Sequence, residues 1–260
     1  MVTVFECEDT LDGIFTAVYD AWASRLGHSA VRLQVRGADT MQLFAVYRSV
    51  VADGSKAERV ARTIQNRMGG ETFEKICQAA MAKDADKADA IYRVLVLGLS
   101  RGVSERDAKQ VIWQLQDPNV CHVFELSRKV GHEAHRYMGF VRFRELENGV
   151  LFSEISSEHH VLSLIGDHFA NRFPQENFLI WNRGCGDCLV HRADGVWFIV
   201  LDPPSELGKA MQLSEKEEEM QRLWKGFCQS ISIRERENRA LQRQMLPYRF
   251  QKWMTEGLVS

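Results

Sequence analysis

The stretch NFLIWNRGCGDCLVHRADGVWFIVL, residues 177–201, contains three short runs that are rich in β-branched and aromatic residues. The runs at 177–182, 187–192 and 195–201 are separated by glycine-containing segments, and RADG at 192–195 is typical of a turn. Strands joined by such short connections pair as antiparallel neighbours. This stretch therefore predicts three strands of a largely antiparallel sheet.

The preceding segment extends the same pattern. Residues 137–146, YMGFVRFREL, alternate aromatic and apolar residues with arginines, and the turn signal ENG is followed by the strand-like VLFSEIS. Residues 159–173 have helical spacing, and Pro174 ends that helix. We predict a sheet over about 137–201, covered by helix 159–173 and by C-terminal helices.

The first hundred residues differ in pattern. VTVFEC, a helical segment at 11–26 and AVRLQVRG predict a small β-α-β element, and Ser55 is expected to cap the first helix of a helical block. The predicted fold class is therefore α+β. The charged stretch MAKDADKADA suggests a boundary, with an N-terminal β-α element and helices at 1–84 and an α+β domain with C-terminal helices at 85–260.

Composition predicts a protein of the cytoplasm. The chain has 260 residues, of which 45% are hydrophobic and 26% charged, as is usual for globular proteins. We find no apolar run of about 20 residues, so no membrane association is expected, and the acidic start lacks the basic region of a secretory signal. Six dispersed cysteines are expected to stay reduced.

Charge is distributed unevenly along the chain. The net charge is only −2, yet residues 222–252 carry eight Lys/Arg against two glutamates, and residues 128–144 carry five against one. Local basic segments on a nearly neutral chain indicate a face that meets an anionic partner.

The C-terminal segment reads as helical. Ser214 and Glu217 form a capping box, and the apolar residues from Met220 to Ile231 recur at helical spacing, which predicts a buried face. Farther on, Arg236, Arg239 and Arg243 are predicted to form a basic stripe on one helix that ends at Pro247.

The metal-like motifs are weak. Cys185 and Cys188 form a single C-x-x-C, which can be half of a zinc site or a redox pair, but here fits a strand–turn–strand better. HEAH at 132–135 is one residue short of the zinc-protease spacing, and His160 and His168 would lie about 12 Å apart along a helix. We therefore predict no metal and no cofactor.

Three long motifs carry a family resemblance: RKVGHEAHRYMGFVRFREL, HHVLSLIGDHFANRFPQENFLIWN and LWKGFCQSISIRERENRALQRQMLPYRFQKWMTE. Over roughly residues 85–256 the chain resembles a bacterial DNA-metabolism family of unknown mechanism. That family is linked with a radical-SAM protein, and a similar domain is fused to uracil-DNA-glycosylase-like domains. The resemblance implies a role in DNA repair or modification beside such a partner.

The resemblance also marks individual positions. It falls on Glu133, His135, Gly139, Arg142, Phe143, His168, Phe169, Arg172, Phe173, Arg236, Asn238, Pro247 and Arg249. One position departs from it, because Asn182 stands where an aspartate is expected. Any chemistry that needs a carboxylate there is in doubt.

The residues leave three functions open. The first is a DNA-binding accessory whose contacts are Arg142, Arg144, His168, Arg172, Arg236, Arg239, Arg243 and Arg249, since arginine binds phosphate bidentately and exposed aromatic rings stack on bases. The second is a glycosylase- or nuclease-like enzyme that uses Glu133 or His168 as acid or base. The third is a protein-interaction subunit that makes no contact with DNA. One cleft that gathers Arg142, His168 and Arg236 would support the DNA hypotheses, whereas both weaken sharply if the three side chains point to different faces.

Overall fold

The computed structural model describes residues 2–37, 43–203 and 212–255. The chain divides into two compact units, Met1–Gly131 and His132–Ser260. The boundary expected near residue 84 falls inside the first unit. In the described residues, we find no helix that combines the length and apolar character needed to cross a membrane.

The first unit contains the predicted β-α-β element. Strands β1 (Val2–Cys7), β2 (Val31–Val35) and β3 (Ala45–Ser49) form a parallel sheet in the order β2-β1-β3. Helix α1 (Leu11–Ala23) connects β1 to β2, and Thr10 caps it by accepting a hydrogen bond from the Gly13 N–H. The helix is needed because parallel neighbours cannot be joined by a tight turn.

The helical block follows the sheet. It comprises α2 (Gly54–Ala80), α3 (Lys87–Leu99), α4 (Glu105–Lys109) and a 3₁₀ turn at Val111–Trp113, and α5 (Pro118–Phe140) contains the division between the units. Helix α2 is interrupted at Gly69, whose φ of 84° favours glycine. The predicted Ser55 cap is wrong, since Asp53 accepts the N–H groups of Ser55 and Lys56.

The second unit is built on a five-stranded sheet. Its strands are β4 (Arg144–Glu145), β5 (Leu151–Ile155), β6 (Phe178–Asn182), β7 (Asp187–His191) and β8 (Trp197–Leu201), in sequential order across the sheet. Every neighbouring pair is antiparallel except β5 and β6, which are parallel. The α+β class and the largely antiparallel sheet are thus confirmed.

Helix α6 (Leu162–Arg172) makes the crossover from β5 to β6 and packs on the sheet. It buries Ile165 and Phe169, whereas Gly166 lets it approach β8, because a Cβ atom there would lie 2.6 Å from the Trp197 ring. The Phe143 ring meets that of Phe169 edge-on at 5.4 Å. These contacts hold α6 against the sheet.

The strand predicted from Tyr137 is wrong in its first half. Helix α5 continues to Phe140, and the rings of Tyr137 and Phe140 pack on Phe250 at 4.9 and 5.2 Å. Aromatic residues that alternate with polar ones fit either element, and here the contact with Phe250 favours the helix. Arg142 therefore precedes the strand that carries Arg144.

The C-terminal segment forms α7 (Glu215–Ile231), a 3₁₀ turn at Arg234–Arg236, α8 (Arg239–Met245) and α9 (Tyr248–Gln251). One half of the predicted capping box is confirmed, because the Ser214 hydroxyl accepts the Glu217 N–H. The other half is wrong, since the Ser214 N–H donates to the Glu145 carbonyl oxygen and not to the Glu217 side chain. The predicted burial of the apolar face of α7 is wrong, since Leu223 is 61% exposed and Phe227 52%. Helical spacing determines which residues share a face, but burial requires a neighbouring element.

Candidate functional site

Residues 157–160, within the connection from β5 to α6, lie beside the turn that joins β6 to β7. Asn182, at the end of β6, is buried, and its Oδ1 atom accepts the N–H groups of Ser157 and Gly184, each at 3.1 Å. Gly184 approaches so closely that a Cβ atom would lie 1.9 Å from the Ser157 carbonyl oxygen. Parallel pairing of β5 and β6 brings the two connections to one edge of the sheet.

Glu133, a predicted catalytic candidate on α5, anchors the same loop. Its side chain is buried and accepts the N–H groups of Glu158 at 3.2 Å and His159 at 3.1 Å. Arg249 also places Nη1 3.5 Å from Glu133 and 3.8 Å from Glu158. Both carboxylate oxygens of Glu133 are thus engaged, and Arg249, a predicted nucleic-acid contact, is paired with two carboxylates.

Three side chains with metal-binding donor atoms converge where the loop meets the turn. His160 Nδ1 lies 3.2 Å from Asp187 Oδ2, and with Cys185 these residues offer one nitrogen, one sulfur and one oxygen, all within 4.8 Å of one another. Asp187 is 3% exposed. Burial, followed by the negative charge of Asp187, raises the pKa of the Cys185 thiol.

The two cysteines of the C-x-x-C have different surroundings. Cys185 lies in the turn, where its thiol is 3.7 Å from the carbonyl oxygens of Ser157 and Glu158. Cys188 lies on β7, where alternation directs it to the face opposite Asp187, and it is buried. The predicted strand–turn–strand agrees with the backbone. The thiol of Cys185 lies close to His160 and Asp187, and Cys188 is not part of that cluster.

Arg144 is held in an ion pair on the sheet. Glu154, on β5, accepts a hydrogen bond from Arg144 at 3.1 Å and another from Arg183 Nε at 2.8 Å. The guanidinium of Arg183 also lies 4.3 Å from the centre of the Trp181 ring. A phosphate contact by Arg144 would therefore compete with Glu154.

His168 and Arg172 share the exposed edge of α6, as their i, i+4 spacing predicts. The Arg172 guanidinium lies 5.6 Å from the centre of the Phe173 ring. The adjacent Asp167 is also exposed and accepts a hydrogen bond from Trp197 Nε1 at 2.7 Å. This edge is polar and carries both signs of charge.

The predicted basic stripe is wrong as a single helix. Arg236 ends a 3₁₀ turn, and Asn238 then caps α8 by accepting the Leu241 N–H, so only Arg239 and Arg243 of the predicted stripe lie on α8. Asparagine favours the cap position because its side chain satisfies an N–H group at the start of a helix.

Arg142 and Arg236 line separate cavities. The Arg142 cavity is shared with Glu217, Met220 and Trp224 of α7. The cavity at Arg236 is lined by nine residues between Ile231 and Met245, and neither cavity includes His168. The single cleft that would have strengthened the DNA hypotheses is therefore not formed by these two cavities.

Comparison with known proteins gives the family. The model of a domain of unknown function, DUF4130, matches residues 85–256, and the chain belongs to that family. This match agrees with the resemblance to a family of unknown mechanism over the same residues. A search of curated proteins finds no significant match.

Among the solved structures that match, one shows a distant likeness. It is described as a "member of s1p family of ribosomal proteins" with a "DHH domain", and is 12% identical to this chain. The alignment covers 75% of this chain and 74% of that one, with a TM-score of 0.34.

Proposed function

We propose that this protein is a DNA-binding accessory in DNA repair or modification, acting beside a radical-SAM or uracil-DNA-glycosylase-like partner. The long motifs that resemble a DNA-metabolism family support the biological context. The composition of the C-terminal segment supports the contact, because residues 238–255 contain three arginines and one lysine but no aspartate or glutamate. A segment of that charge attracts phosphate groups.

One observation carries the proposal: an exposed arginine lies next to an exposed aromatic ring. Tyr248, at the start of α9, is 64% exposed, and the guanidinium of Arg243 lies 6.0 Å from the centre of its ring. Arg239 lies one turn earlier on α8. A cation next to a ring that can stack on an unpaired base is a common arrangement in proteins that bind single strands.

Salt titration of DNA binding tests the contact. Fluorescence anisotropy with single- and double-stranded oligonucleotides of unrelated sequence should show affinity that falls with salt. The double variant Arg239→Ala/Arg243→Ala should weaken binding to all sequences, and for single strands should lower the slope of log K against log salt by about 1.4, since each phosphate contact contributes about 0.7. Tyr248→Ala should weaken single-strand binding more than double-strand binding.

A matched control separates this contact from a general effect of charge. Arg59→Ala/Arg67→Ala removes two exposed arginines from α2, in the first unit, and should leave the slope unchanged. Equal losses of DNA affinity in both double variants would indicate non-specific attraction. Unchanged affinity in both would show that the C-terminal segment is not the DNA contact. The protein-interaction alternative would then lead, and co-elution with the radical-SAM partner in the absence of DNA would support it.

A further inference from the structure

The cluster of His160, Cys185 and Asp187 has the donor set of a transition-metal site. An imidazole nitrogen, a thiol sulfur and a carboxylate oxygen lie within 4.8 Å of one another. Zinc binds these atoms at about 2.0–2.3 Å, which places tetrahedral ligands about 3.4–3.8 Å apart. The largest separation among the three donor atoms would have to shorten by about 1 Å for all three to bind one ion. Side-chain rotation can supply a movement of that size.

Asp187 points independently to a cation. The residue is 3% exposed, and its Oδ1 atom has no hydrogen-bond partner among the residues that the structure describes. Its other oxygen faces His160 Nδ1 at 3.2 Å. Leaving a buried carboxylate oxygen without a donor is unfavourable, and a metal ion would compensate for the lost hydration.

The backbone around the cluster is held in place before any ligand binds. Asn182 ties Ser157 to Gly184, Glu133 ties the loop to α5, and Asp187 is the first residue of β7. A site whose ligands sit on hydrogen-bonded connections loses little conformational entropy on binding.

We propose that His160, Cys185 and Asp187 bind one divalent transition-metal ion of the zinc class, with a fourth coordination position open to solvent. The His160 side chain is 36% exposed, so solvent reaches the cluster from its side. Three protein ligands with one open position are the arrangement of catalytic zinc sites, in which bound water becomes acidic enough to react near neutral pH. This inference is independent of the proposed DNA contact at α8 and α9.

The prediction of no metal rested on local spacing. Cys185 and Cys188 lacked nearby partners, and His160 and His168 were too far apart on one helix. The fold brings His160 to Cys185 from 25 positions earlier in the chain, and Asp187 completes the set.

Metal titration of the full chain tests the site. Protein treated with a chelator and dialysed should bind one equivalent of Zn²⁺ in calorimetry, and Co²⁺ should give a thiolate-to-metal charge-transfer band. Cys185→Ser should abolish that band. Cys185→Ser, His160→Gln and Asp187→Asn should each lower zinc affinity by at least about 100-fold, because loss of a ligand should cost no less than loss of an outer-sphere contact, which costs up to about 100-fold.

Two control variants match the first two by residue type. Cys121→Ser and His168→Gln, at positions outside the cluster, should keep wild-type affinity and the cobalt spectrum. Circular dichroism and thermal unfolding without metal identify any variant that fails to fold. If one of the other variants does not fold, zinc binding by Asp187→Asn, which preserves the shape of the side chain, tests the site. Absence of stoichiometric binding by the wild type, or binding that survives all three cluster variants, would overturn the proposal.

Discussion

Replacement of Glu133 by alanine should destabilise the second unit. The change leaves the N–H groups of Glu158 and His159 without their acceptor, and that of His159 is buried. An orphaned buried donor costs about 1–3 kcal/mol, and the Glu158 donor is only partly buried, so we expect a loss of roughly 2–4 kcal/mol. Loss of the ion pair with Arg249 is expected to add little, because the half-exposed guanidinium can be hydrated once the carboxylate is removed.

Urea unfolding measures this loss. With an m-value of about 2 kcal/mol/M, the midpoint of the second unit should fall by about 1–2 M, and Glu133→Gln, which keeps one acceptor oxygen, should lie between the wild type and Glu133→Ala. Hydrogen exchange adds a local measurement, because the amides of Glu158 and His159 should lose protection. Glu147→Ala removes an exposed carboxylate from the same unit and should change neither quantity. An unchanged midpoint together with unchanged amide protection in Glu133→Ala would refute the role of anchor.

Two further predictions concern packing and pH. Gly184→Ala should destabilise the second unit by at least about 2 kcal/mol in urea unfolding, because its Cβ atom would overlap the Ser157 carbonyl oxygen, whereas Gly139→Ala, in open space on α5, should be neutral or stabilising by up to about 1 kcal/mol. Burial raises the pKa of Cys188 from 9.0 to about 12 and, with Asp9, that of Cys7 also to about 12. The thiols hold their protons more tightly in the folded state than in the unfolded state. Their contribution to the free energy of unfolding is therefore complete below pH 9 and is lost toward pH 12, at about 1.4 kcal/mol per pH unit for each thiol. Urea unfolding at about pH 8 and about pH 10 should show this loss in the wild type and less of it in Cys188→Ala; parallel pH profiles would contradict the assignment.

The fold was predictable where local pattern and tertiary contact agree. The strands at 178–182, 187–191 and 197–201 follow directly from short β-rich runs between turn signals, and the helix at 162–172 from its apolar face. The prediction failed at Tyr137, because aromatic side chains at that spacing can bury themselves from a helix as well as from a strand. There the ring of Phe250, more than a hundred residues away, favours the helix.

The apolar face of α7 shows that burial could not be predicted from periodicity alone. Its periodicity gave the helix and the set of residues that lie together, but not what covers them. A face is buried only when another element packs on it, and the sequence of the helix does not identify that element. The same reasoning applies to Arg144 and Arg249, whose type suggested phosphate but which are paired with Glu154 and Glu133.

The cluster around His160 was missed although the sequence contained a signal for it. A helix predicted between two strands implies a crossover, and a crossover implies that the strands are parallel neighbours. The carboxyl ends of parallel neighbours lie at one edge, so the loop after β5 and the turn after β6 had to meet. That inference places His160 near Cys185 without any reference to their spacing along the chain.

Asn182 connects this cluster to the one departure from the resemblance. Its Oδ1 atom accepts two backbone N–H groups, and an aspartate could accept the same two bonds, so the loop geometry does not require the amide. The difference lies in charge. Burial and Asp187 raise the pKa of the Cys185 thiol, and the Asn182 side chain partly offsets that rise, whereas a carboxylate at this position would add a further negative charge to the cluster. The amide therefore keeps the anchor of the 157–160 loop while lowering the negative charge that a bound cation would have to balance.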